Sequence, residues 1–324
     1  MKVKHTRWGI LGLGKIARKF CLGLQHVEGA EIYAVASRSQ EKADFFAKEH
    51  HAKKAYGSYE EMVKDENVDV IYVATPHVFH FKQTLLCLRN KKPVLCEKPF
   101  AMNKAEVEQM IATAKKEKVF LMEAMWTQFL PHFEYVYKLV QSGVYGKIKS
   151  LNADFGFAAE FDENGRLFNK DLGGGSLLDI GIYPVFMALS FLGEPEKITA
   201  SANFSTTEID EECNMIFHYP GGVEAKLDSN IGRKTPTTAT IVLEKATISM
   251  NSRFHEPTSV QVLTPEGEES SDFNVVANGY NFEAEHVQKM LKEGRTESTE
   301  MTFEKSLQLI GLLDRIRTEI GLEY

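Results

Sequence analysis

A glycine-rich turn near the start of the chain constrains its fold most strongly. The short apolar run Arg7–Leu11 meets Gly12-x-Gly14-x-x-Ala17, and a helical pattern follows directly. In such a turn the first glycine makes the bend, the second lets the backbone approach a pyrophosphate, and the third small residue lets helix and strand pack closely. A second apolar run, Ala30–Ala36, follows at the distance of a strand–helix–strand unit. The sequence therefore predicts a dinucleotide-binding domain that begins at this turn.

The end of the second predicted strand bears on the choice of cofactor. An NAD site usually has a carboxylate here to hold the ribose hydroxyls, whereas this chain has Ser37-Arg38-Ser39. A guanidinium can form two charge-assisted hydrogen bonds with a 2′-phosphate, and Lys42 adds a second positive charge if that stretch is helical. The sequence favours NADP(H) over NAD(H). The alternative is a solvated basic turn.

Strand and helix patterns alternate through the first third of the chain. Further strands are predicted at Val68–Ala74, Pro93–Cys96 and Val119–Met122, and helices at Phe81–Asn90 and Ala105–Lys118. This alternation is typical of an α/β domain with a doubly wound parallel sheet. Ligands bind such open sheets at the carboxyl ends of the strands.

Two segments follow predicted strands at that edge, Thr75–His77 and Glu97–Pro99. His77 and His80 can contact the nicotinamide ribose or the substrate, although isolated histidines are more often caps or packed side chains. Lys98 is a candidate proton donor or acceptor, because partial burial and neighbouring cations can lower the pKa of a lysine toward neutrality. The alternative for Lys98 is a surface ion pair beside a turn.

From about residue 124 the pattern changes to alternating apolar and polar residues. A helix is predicted at Pro131–Ser142, and strands at Ile148–Phe155, Ile198–Phe204, Cys213–His218, Val223–Leu227, Ala239–Leu243 and Thr247–Met250. This periodicity predicts an α+β domain with a large, mainly antiparallel open sheet, whose uncovered face favours a homodimer. Polar Thr264–Asp272 is predicted to be an exposed loop.

The predicted fold class is thus α/β, with an N-terminal Rossmann sheet and a C-terminal α+β domain. We expect a dinucleotide-binding Rossmann domain at residues 1–123 and a substrate-binding and dimerisation domain at residues 124–324. The stripe of Leu307, Ile310 and Leu313 predicts a last helix at Phe303–Ile320, which packs in a core or back toward the first domain.

A second glycine-rich segment, Leu172–Pro184, carries the other candidate catalytic residue. Asp179 and Tyr183 lie four residues apart, hence on one face of the helix that would follow. An ammonium close to a phenol stabilises its ionised form, so Lys98 and Tyr183 make an acid–base pair. The alternatives are a capping Asp and a half-buried helical Tyr. The candidate substrate-binding residues are Asp179, His80 and two aromatic residues that would otherwise be core, Trp126 and Phe155.

Composition and charge exclude several classes of function. The 324 residues, 43% of them hydrophobic, are enough for two domains with full cores. A net charge of −7 argues against nucleic acid. The polar lead-in Met1–His5 predicts no signal segment, and no apolar run is expected to reach the length of a membrane span. The four cysteines have no paired spacing, which predicts a reducing cytoplasm and no metal site.

Five motifs together resemble the Gfo/Idh/MocA family of oxidoreductases. They are Gly12-x-Gly14-x-x-Ala17, Thr75–His77, Glu97–Pro99, Met122–Trp126 and Gly173–Pro184. The resemblance covers essentially the whole chain, and the combination is far more specific than any single motif. Tyr183-Pro184 and Trp126 are similar to the branch of dimeric dihydrodiol dehydrogenases and NADP-dependent D-xylose dehydrogenases.

The resemblance implies reversible hydride transfer between NADP and a sugar or cyclic diol, with Lys98 and Tyr183 catalytic and Asp179 orienting the substrate. It also implies a cis bond at Lys98–Pro99. The branch typically has Trp-x-Arg where Gln128 stands here, so its substrate preference need not transfer. An NAD-dependent inositol or polyol dehydrogenase and a catalytically silent sugar or dinucleotide sensor are the alternatives. The expected cofactor-binding residues are Gly12, Gly14, Lys15, Ile16, Ala17, Ser37, Arg38, Lys42, Thr75, Pro76, His77, Glu97 and Lys98.

Overall fold

The computed structural model describes residues 5–324, and the chain divides into two compact units. The first unit contains the residues up to Trp126 together with Val275–Leu307, and the second contains Thr127–Asn274 together with Gln308–Tyr324. The sequence predicts domains at residues 1–123 and 124–324. In the structure, residues 275–307 cluster with the first unit. Most of the polar lead-in, residues 1–4, lies outside the described residues.

The first unit is built on a six-stranded parallel sheet. Its order β3-β2-β1-β4-β5-β6, with every neighbouring pair parallel, confirms the predicted doubly wound arrangement. The strands Val70–Val73, Val94–Glu97 and Leu121–Ala124 are buried at every position, as expected when both faces of a sheet are covered. In chain order the elements are β1 Thr6–Leu11, α1 Lys15–Leu24, β2 Ala30–Ala36, α2 Gln40–His50, β3 Lys54–Tyr56, α3 Tyr59–Met62, β4 Val70–Val73, α4 His80–Arg89, β5 Val94–Glu97, α5 Lys104–Glu117 and β6 Leu121–Ala124.

The second unit is built on an eight-stranded sheet, which confirms the predicted mainly antiparallel architecture. The order is β14-β13-β12-β11-β7-β10-β9-β8, and β7 with β10 is its parallel pair. In chain order the elements are α6 Pro131–Gln141, β7 Ile148–Gly156, α7 Ile182–Leu192, β8 Lys197–Phe204, β9 Asp210–His218, β10 Glu224–Asn230, β11 Ala239–Leu243, β12 Thr247–Met250, β13 Val260–Thr264 and β14 Gly267–Ser271.

The segment Thr264–Asp272 is mostly exposed, as predicted, but the prediction that it forms a loop is wrong. The chain there forms the hairpin of β13 and β14, with Thr264 opposite Gly267. Four of the five residues of β14 are exposed, because it is an edge strand with no buried face. Without a buried face the strand has no alternation of apolar and polar residues, which is the signal that a strand prediction needs.

Two helices complete the chain, α8 at Tyr280–Lys292 and α9 at Phe303–Ile320, the latter with the predicted bounds. Helix α8 packs against α1, and Gln288 donates a hydrogen bond of 3.0 Å to the carbonyl of Glu28. Just before α8, Asn278 donates one of 2.7 Å to the carbonyl of Lys19. These contacts explain why residues 275–307 belong to the first unit.

Helix α7 and the turns before it form the apolar centre of the second unit. The stretch Lys170–Leu192 is long and apolar enough to cross a membrane, which corrects the expectation that no run reaches that length. Of its most apolar part 83% is buried inside the structure, as in the core helix of a globular protein. Helix α7 packs against β7 and β10 and so covers one face of the sheet.

Candidate active site

The first strand-to-helix turn has the shape that a dinucleotide pyrophosphate requires. Gly12 has φ +90°, and an added Cβ there would lie 2.6 Å from Thr75 Cγ2. Gly14 is the N-cap of α1, no side chain caps the helix there, and nothing lies within 4 Å of a Cβ added at Gly14. Ala17 is fully buried. The first N–H groups of α1 therefore adjoin open space, and the turn fits an anionic dinucleotide.

The end of β2 presents an exposed cation between two hydroxyl groups. Arg38 is exposed, and its guanidinium carbon lies 5.9 Å from the centre of the Phe79 ring. Ser39 caps α2 by accepting a hydrogen bond of 3.3 Å from Lys42 N, and Ser37 Oγ accepts one of 3.3 Å from Ser39 N. Lys42 is itself exposed. The end of β2 is thus a cationic segment flanked by two hydroxyl groups.

The segment after β4 is tied to the segment after β5 by a buried histidine. His80 is 1% exposed, and its two ring nitrogens lie 2.8 Å from the carbonyl oxygens of Thr75 and Pro99. Both partners are acceptors, so the ring joins the two segments at the carboxyl edge of the sheet. Pro76 precedes a short 3₁₀ turn that begins at His77, which is 4% exposed. A direct contact of His80 with substrate stays a prediction.

Lys98 lies just beyond β5 on a turn that buried side chains hold in place. The Lys98–Pro99 bond is cis, as the resemblance implied. The carboxyl group of Glu97 accepts hydrogen bonds from the buried Tyr72 hydroxyl and, at 3.2 Å, from Lys98 N. Because His80 holds the Pro99 carbonyl as well, the backbone on both sides of Lys98 is fixed. The Lys98 side chain itself is half-exposed.

Two further buried carboxyl groups act on this turn, Glu123 through a hydrogen bond and Glu283 through its electrostatic interaction with Glu97, and sequence reasoning assigned neither to the site. Glu123 on β6 accepts a hydrogen bond of 3.0 Å from Phe100 N, and burial raises its pKa to about 7. Glu283 on α8 is fully buried, and burial followed by the charge of Glu97 holds its pKa well above the ordinary value. The same two causes raise the pKa of Tyr72. Glu123 belonged to a recognised motif, whereas no motif marks Glu283.

In the second unit, the helix that bears Tyr183 begins with a turn of π-helix. That turn spans Leu177–Gly181 and continues into α7. Its Asp179 forms an ion pair of 2.9 Å with Arg166, a residue that the sequence did not single out. Tyr183 follows in the first turn of α7 and is 5% exposed. Turns of π-helix occur frequently at functional sites.

The buried carboxyl group of Asp210 explains why a glycine stands just before that helix. Its Oδ2 accepts hydrogen bonds of 2.6 Å from Leu177 N and 2.9 Å from Ser176 Oγ, and Ser176 Oγ lies 2.9 Å from Ser229 Oγ. Gly175 has φ +119°, and a Cβ added there would lie 2.0 Å from Asp210 Oδ1. The buried carboxyl group thus holds the start of the helix, and a glycine is needed beside it. Burial raises the pKa of Asp210 to about 7.

Aromatic rings surround the predicted substrate residues in both units. In the first unit Trp126 stacks on Tyr280, with ring centres 4.1 Å apart. In the second unit the rings of Phe155 and Tyr183 are 5.7 Å apart, and His255 packs against both of them. His255 was missed because a single histidine in a polar loop carries no motif. Residues 5–324 hold no cluster of three or more ligating side chains suited to a metal ion.

The parallel sheet and its dinucleotide turn define a two-unit oxidoreductase of the Rossmann type. The family model "Oxidoreductase family, NAD-binding Rossmann fold" matches residues 6–125, and the model "GFO/IDH/MocA C-terminal domain" matches residues 133–249. The chain belongs to the Gfo/Idh/MocA oxidoreductase family, as its motifs indicated.

Curated relatives and solved structures cover the whole chain. It is 39% identical to the trans-1,2-dihydrobenzene-1,2-diol dehydrogenase of Xenopus tropicalis, over 98% of this chain and 99% of that protein. Identity to the enzyme of that name from Mus musculus is 37%, over 98% of both chains. KijD10, a 3-ketoreductase from Actinomadura kijaniata solved with NADP and TDP-benzene, has 26% identity and a TM-score of 0.88 over 98% of both chains. The aldose-aldose oxidoreductase of Caulobacter crescentus, at 24% identity and a TM-score of 0.90 over 98% of both chains, shares the fold.

Proposed function

We propose that this protein is an NADP-dependent oxidoreductase that transfers a hydride between the cofactor and a CH–OH carbon of a sugar, cyclic diol or related carbonyl compound. The observation that carries the proposal is the half-exposed Lys98, fixed at the carboxyl end of β5 in a domain whose first turn fits a dinucleotide. The curated relatives are named dihydrodiol dehydrogenases, and KijD10 is a ketoreductase solved with NADP, which supports the substrate class and the cofactor.

The proposed chemistry divides proton transfer and charge stabilisation between two residues. Bound NADP(H) supplies or accepts the hydride. Tyr183 exchanges the proton of the substrate hydroxyl, and the ammonium of Lys98 stabilises the phenolate and the charge that develops on the substrate oxygen. The converse assignment, with Lys98 as the direct proton carrier, is the alternative. The proposed substrate-binding residues are Asp179, Trp126, Phe155 and His80.

For the cofactor, we assign the pyrophosphate to the Gly12–Gly14 turn and the 2′-phosphate to Arg38 with Ser37. The open space at Gly14 and the exposure of Arg38 support this assignment. The remaining proposed cofactor residues are Lys15, Ile16, Ala17, Lys42, Thr75, Pro76, His77, Glu97 and Lys98.

Binding of NADPH and NADH, followed by nicotinamide fluorescence, tests the cofactor assignment first. We expect a clear preference for NADPH, and Arg38→Ala should weaken NADPH binding about 10-fold or more while leaving NADH binding nearly unchanged. Aldoses, dihydrodiols and dicarbonyls would then be tested as substrates. A preference for NADH would point instead to a polyol dehydrogenase, and binding of neither nucleotide would contradict the proposal.

Replacing Lys98 by Met tests the catalytic assignment. The change removes the ammonium and keeps most of the side-chain volume, so we expect turnover to fall about 100-fold or more with little change in NADPH affinity. Lys116→Met, on the exposed face of α5, is the matched control and should behave like the wild type. Tyr183→Phe distinguishes the two proton carriers, because it should keep most of the activity if Lys98 transfers the proton itself. Near wild-type turnover in Lys98→Met would contradict the catalytic role of Lys98.

We further propose that the protein acts as a homodimer in the cytoplasm. One face of the eight-stranded sheet is covered by α7, and the other carries exposed polar side chains such as Asn152, Asn214 and Lys226. We propose that a second copy of the chain binds to that face. The four cysteines are buried free thiols, which fits a reducing compartment.

A further inference from the structure

The hydroxyl group of Tyr324 holds the glycine run, residues 173–175, that precedes the Tyr183 helix. Tyr324 Oη donates a hydrogen bond of 2.6 Å to the carbonyl oxygen of Gly174. A Cβ added at Gly175 would lie 3.2 Å from the same hydroxyl oxygen and 2.0 Å from Asp210 Oδ1. The phenol of Tyr324 and the carboxyl group of Asp210 therefore both adjoin the glycine run where it enters the helix.

The segment after α9 brings Tyr324 to this position. Helix α9 ends at Ile320, and Gly321 follows with φ +70°. Leu322 N then donates a hydrogen bond of 2.9 Å to the carbonyl of Arg317, and Leu322 is 4% exposed. The guanidinium carbon of Arg317 lies 5.0 Å from the centre of the Tyr324 ring. Because a left-handed glycine reverses the chain at the helix end, the Tyr324 ring is anchored on α9 itself.

Tyr324 stays a hydrogen-bond donor at neutral pH. The residue is 37% exposed, yet burial of its hydroxyl group raises the pKa of Tyr324, and the charge of Asp210 raises it further. The charge of Asp179 acts in the same direction, and the opposing charge of Arg317 does not reverse the shift. Since an unperturbed tyrosine already titrates near pH 10, the phenol keeps its proton and the bond to Gly174 persists.

The glycine run in turn holds the segment that carries Arg166. Gly174 N donates a hydrogen bond of 2.9 Å to the carbonyl of Asn169, and Gly175 N donates one of 2.9 Å to the carbonyl of Leu167. A Cβ added at Gly174 would lie 2.6 Å from the Leu167 carbonyl oxygen, so the two backbones are in direct contact. Residues 166–169 form no helix or strand, and their position therefore depends on these bonds to the glycine run.

Arg166 reaches the residue that is proposed to orient the substrate. Its guanidinium forms the ion pair of 2.9 Å with Asp179 on the π turn, where the Asp179 side chain is 15% exposed. A mostly covered carboxylate that is tied to one guanidinium takes its direction from that partner. A displacement of the Arg166 segment would therefore turn the carboxylate of Asp179.

We propose that Tyr324 is a positioning residue, which fixes the Arg166 segment through Gly174 and so directs the carboxylate of Asp179 toward the substrate. This rests on the proposed substrate role of Asp179. Tyr324 itself contacts no substrate and transfers no proton in this role. The effect on the reaction is large for a single hydroxyl group, because a displacement of about 1 Å in an orienting group can lower a rate about 100-fold.

Replacing Tyr324 by Phe removes the hydroxyl group and keeps the ring. We expect kcat/KM for the substrate to fall about 10-fold, mainly through a higher KM, with unchanged NADPH affinity. Partial unfolding alone would lower the apparent kcat and leave KM as it is. The matched control is Tyr219→Phe, because Tyr219 donates a hydrogen bond of 3.2 Å to the carbonyl of Gly193 at the other end of the same helix. It should lose stability and keep the wild-type KM. An unchanged KM in Tyr324→Phe would mean that the hydroxyl group serves stability alone, and would overturn the proposal.

A double variant tests the path through Arg166. If Tyr324 acts on Asp179 by way of Arg166, Tyr324→Phe should add little to the loss that Arg166→Gln causes by itself. The kcat/KM values of the two single variants and the double variant measure this. Losses that simply multiply would show that the two side chains act independently, and would overturn the path.

Amide hydrogen exchange tests the same positioning without activity. We expect exchange at Gly174 N and Gly175 N to become about 10-fold faster in Tyr324→Phe and to keep the wild-type rate in Tyr219→Phe. Equal exchange in Tyr324→Phe and the wild type would overturn the proposal. If the wild type binds NADPH but transfers no hydride to any substrate tested, the proposed function fails, and the exchange rates still decide whether Tyr324 holds the glycine run.

Discussion

At the scale of single residues, the buried carboxyl group of Asp210 holds the start of a helix, but its ionised form destabilises the fold. Desolvation outweighs the hydrogen bonds from Leu177 N and Ser176 Oγ and raises the pKa of Asp210 to about 7. An aspartate in the unfolded chain titrates near 3.9. The neutral form therefore stabilises the fold fully below about pH 4, and this contribution is lost as the pH rises to about 7.

Asp210→Asn should remove this pH dependence. The amide oxygen still accepts from Leu177 N but carries no charge, so the variant should gain on the wild type by about 3 kcal/mol in free energy of unfolding between pH 5 and pH 8. The measurement is thermal or urea unfolding of both proteins at several pH values. Asp228→Asn on β10 is the control and should show a much smaller effect, because Arg233 lies 3.4 Å from that half-buried carboxylate. Parallel pH profiles for Asp210→Asn and wild type would contradict the argument.

Some residues of the candidate site could be predicted from the sequence, and others could not. Lys98, Tyr183 and Asp179 stand in motifs whose spacing carries chemical meaning, so they could be proposed without a structure. Glu283 and His255 could not, because each is a single residue whose importance comes from neighbours far away in the chain. Long-range contacts of this kind leave no periodic or local signal.

At the scale of elements, the start of the Tyr183 helix depends on a glycine that excludes a side chain and on the π turn that follows it. Gly175 combines φ +119° with a contact of 2.0 Å between an added Cβ and Asp210 Oδ1, so both its backbone and its surroundings require glycine. Beyond it the π turn at Leu177–Gly181 carries Asp179. Any shift of this turn would displace the proposed catalytic face of the helix.

Gly175→Ala should therefore be strongly destabilising, by more than about 3 kcal/mol, and should lower turnover in the protein that still folds. Gly221→Ala is the matched control. It has a similar positive φ of +75°, but nothing lies within 4 Å of an added Cβ, so it should cost only about 1–2 kcal/mol. Urea unfolding of the two variants measures the difference. Equal losses would show that backbone strain alone, and not the contact with Asp210, determines the need for glycine.

Several elements with one buried face were predicted from their pattern, whereas an edge strand without a buried face was not. Helix α9 has an apolar stripe, and its predicted bounds agree with the structure. The strands β7, β8 and β11 alternate between buried and less buried positions, as their sequences indicated. The edge strand β14 is polar on both faces, and its sequence predicts a loop. Burial creates the pattern, so an element that buries nothing cannot be recognised by it.

At the scale of the whole molecule, the chain passes between the two units at residues 126/127, 274/275 and 307/308. The sequence indicated the first passage by a change, from about residue 124, to alternating apolar and polar residues. The passage back to the first unit at residues 274/275 is not marked in the sequence. The apolar face of α8 shows that the helix is buried, but it does not show which element the helix packs against. Lys98 belongs to the first unit and Tyr183 to the second.

The open face of the eight-stranded sheet carries the last prediction, which concerns assembly. Asn152 lies near the middle of this face on β7, and it is exposed between Thr240 on β11 and Lys226 on β10. In a two-fold dimer each patch meets its own copy, so Asn152→Arg places two extra cations near two copies of Lys226. We expect the dissociation constant of the dimer to rise about 100-fold or more.

Light scattering coupled to size-exclusion chromatography measures the mass of each protein in solution and so tests this prediction. The wild type should elute at twice the mass of the chain, and Asn152→Arg at the mass of one chain with an unchanged circular dichroism spectrum. Ser270→Arg is the control, because Ser270 is exposed on the edge strand β14, and it should leave the dimer intact. A wild type that stays monomeric at micromolar concentration would exclude the proposed dimer. If Asn152→Arg and the wild type are equally dimeric, the chains associate through another surface, and the open face of the sheet is available to a different partner.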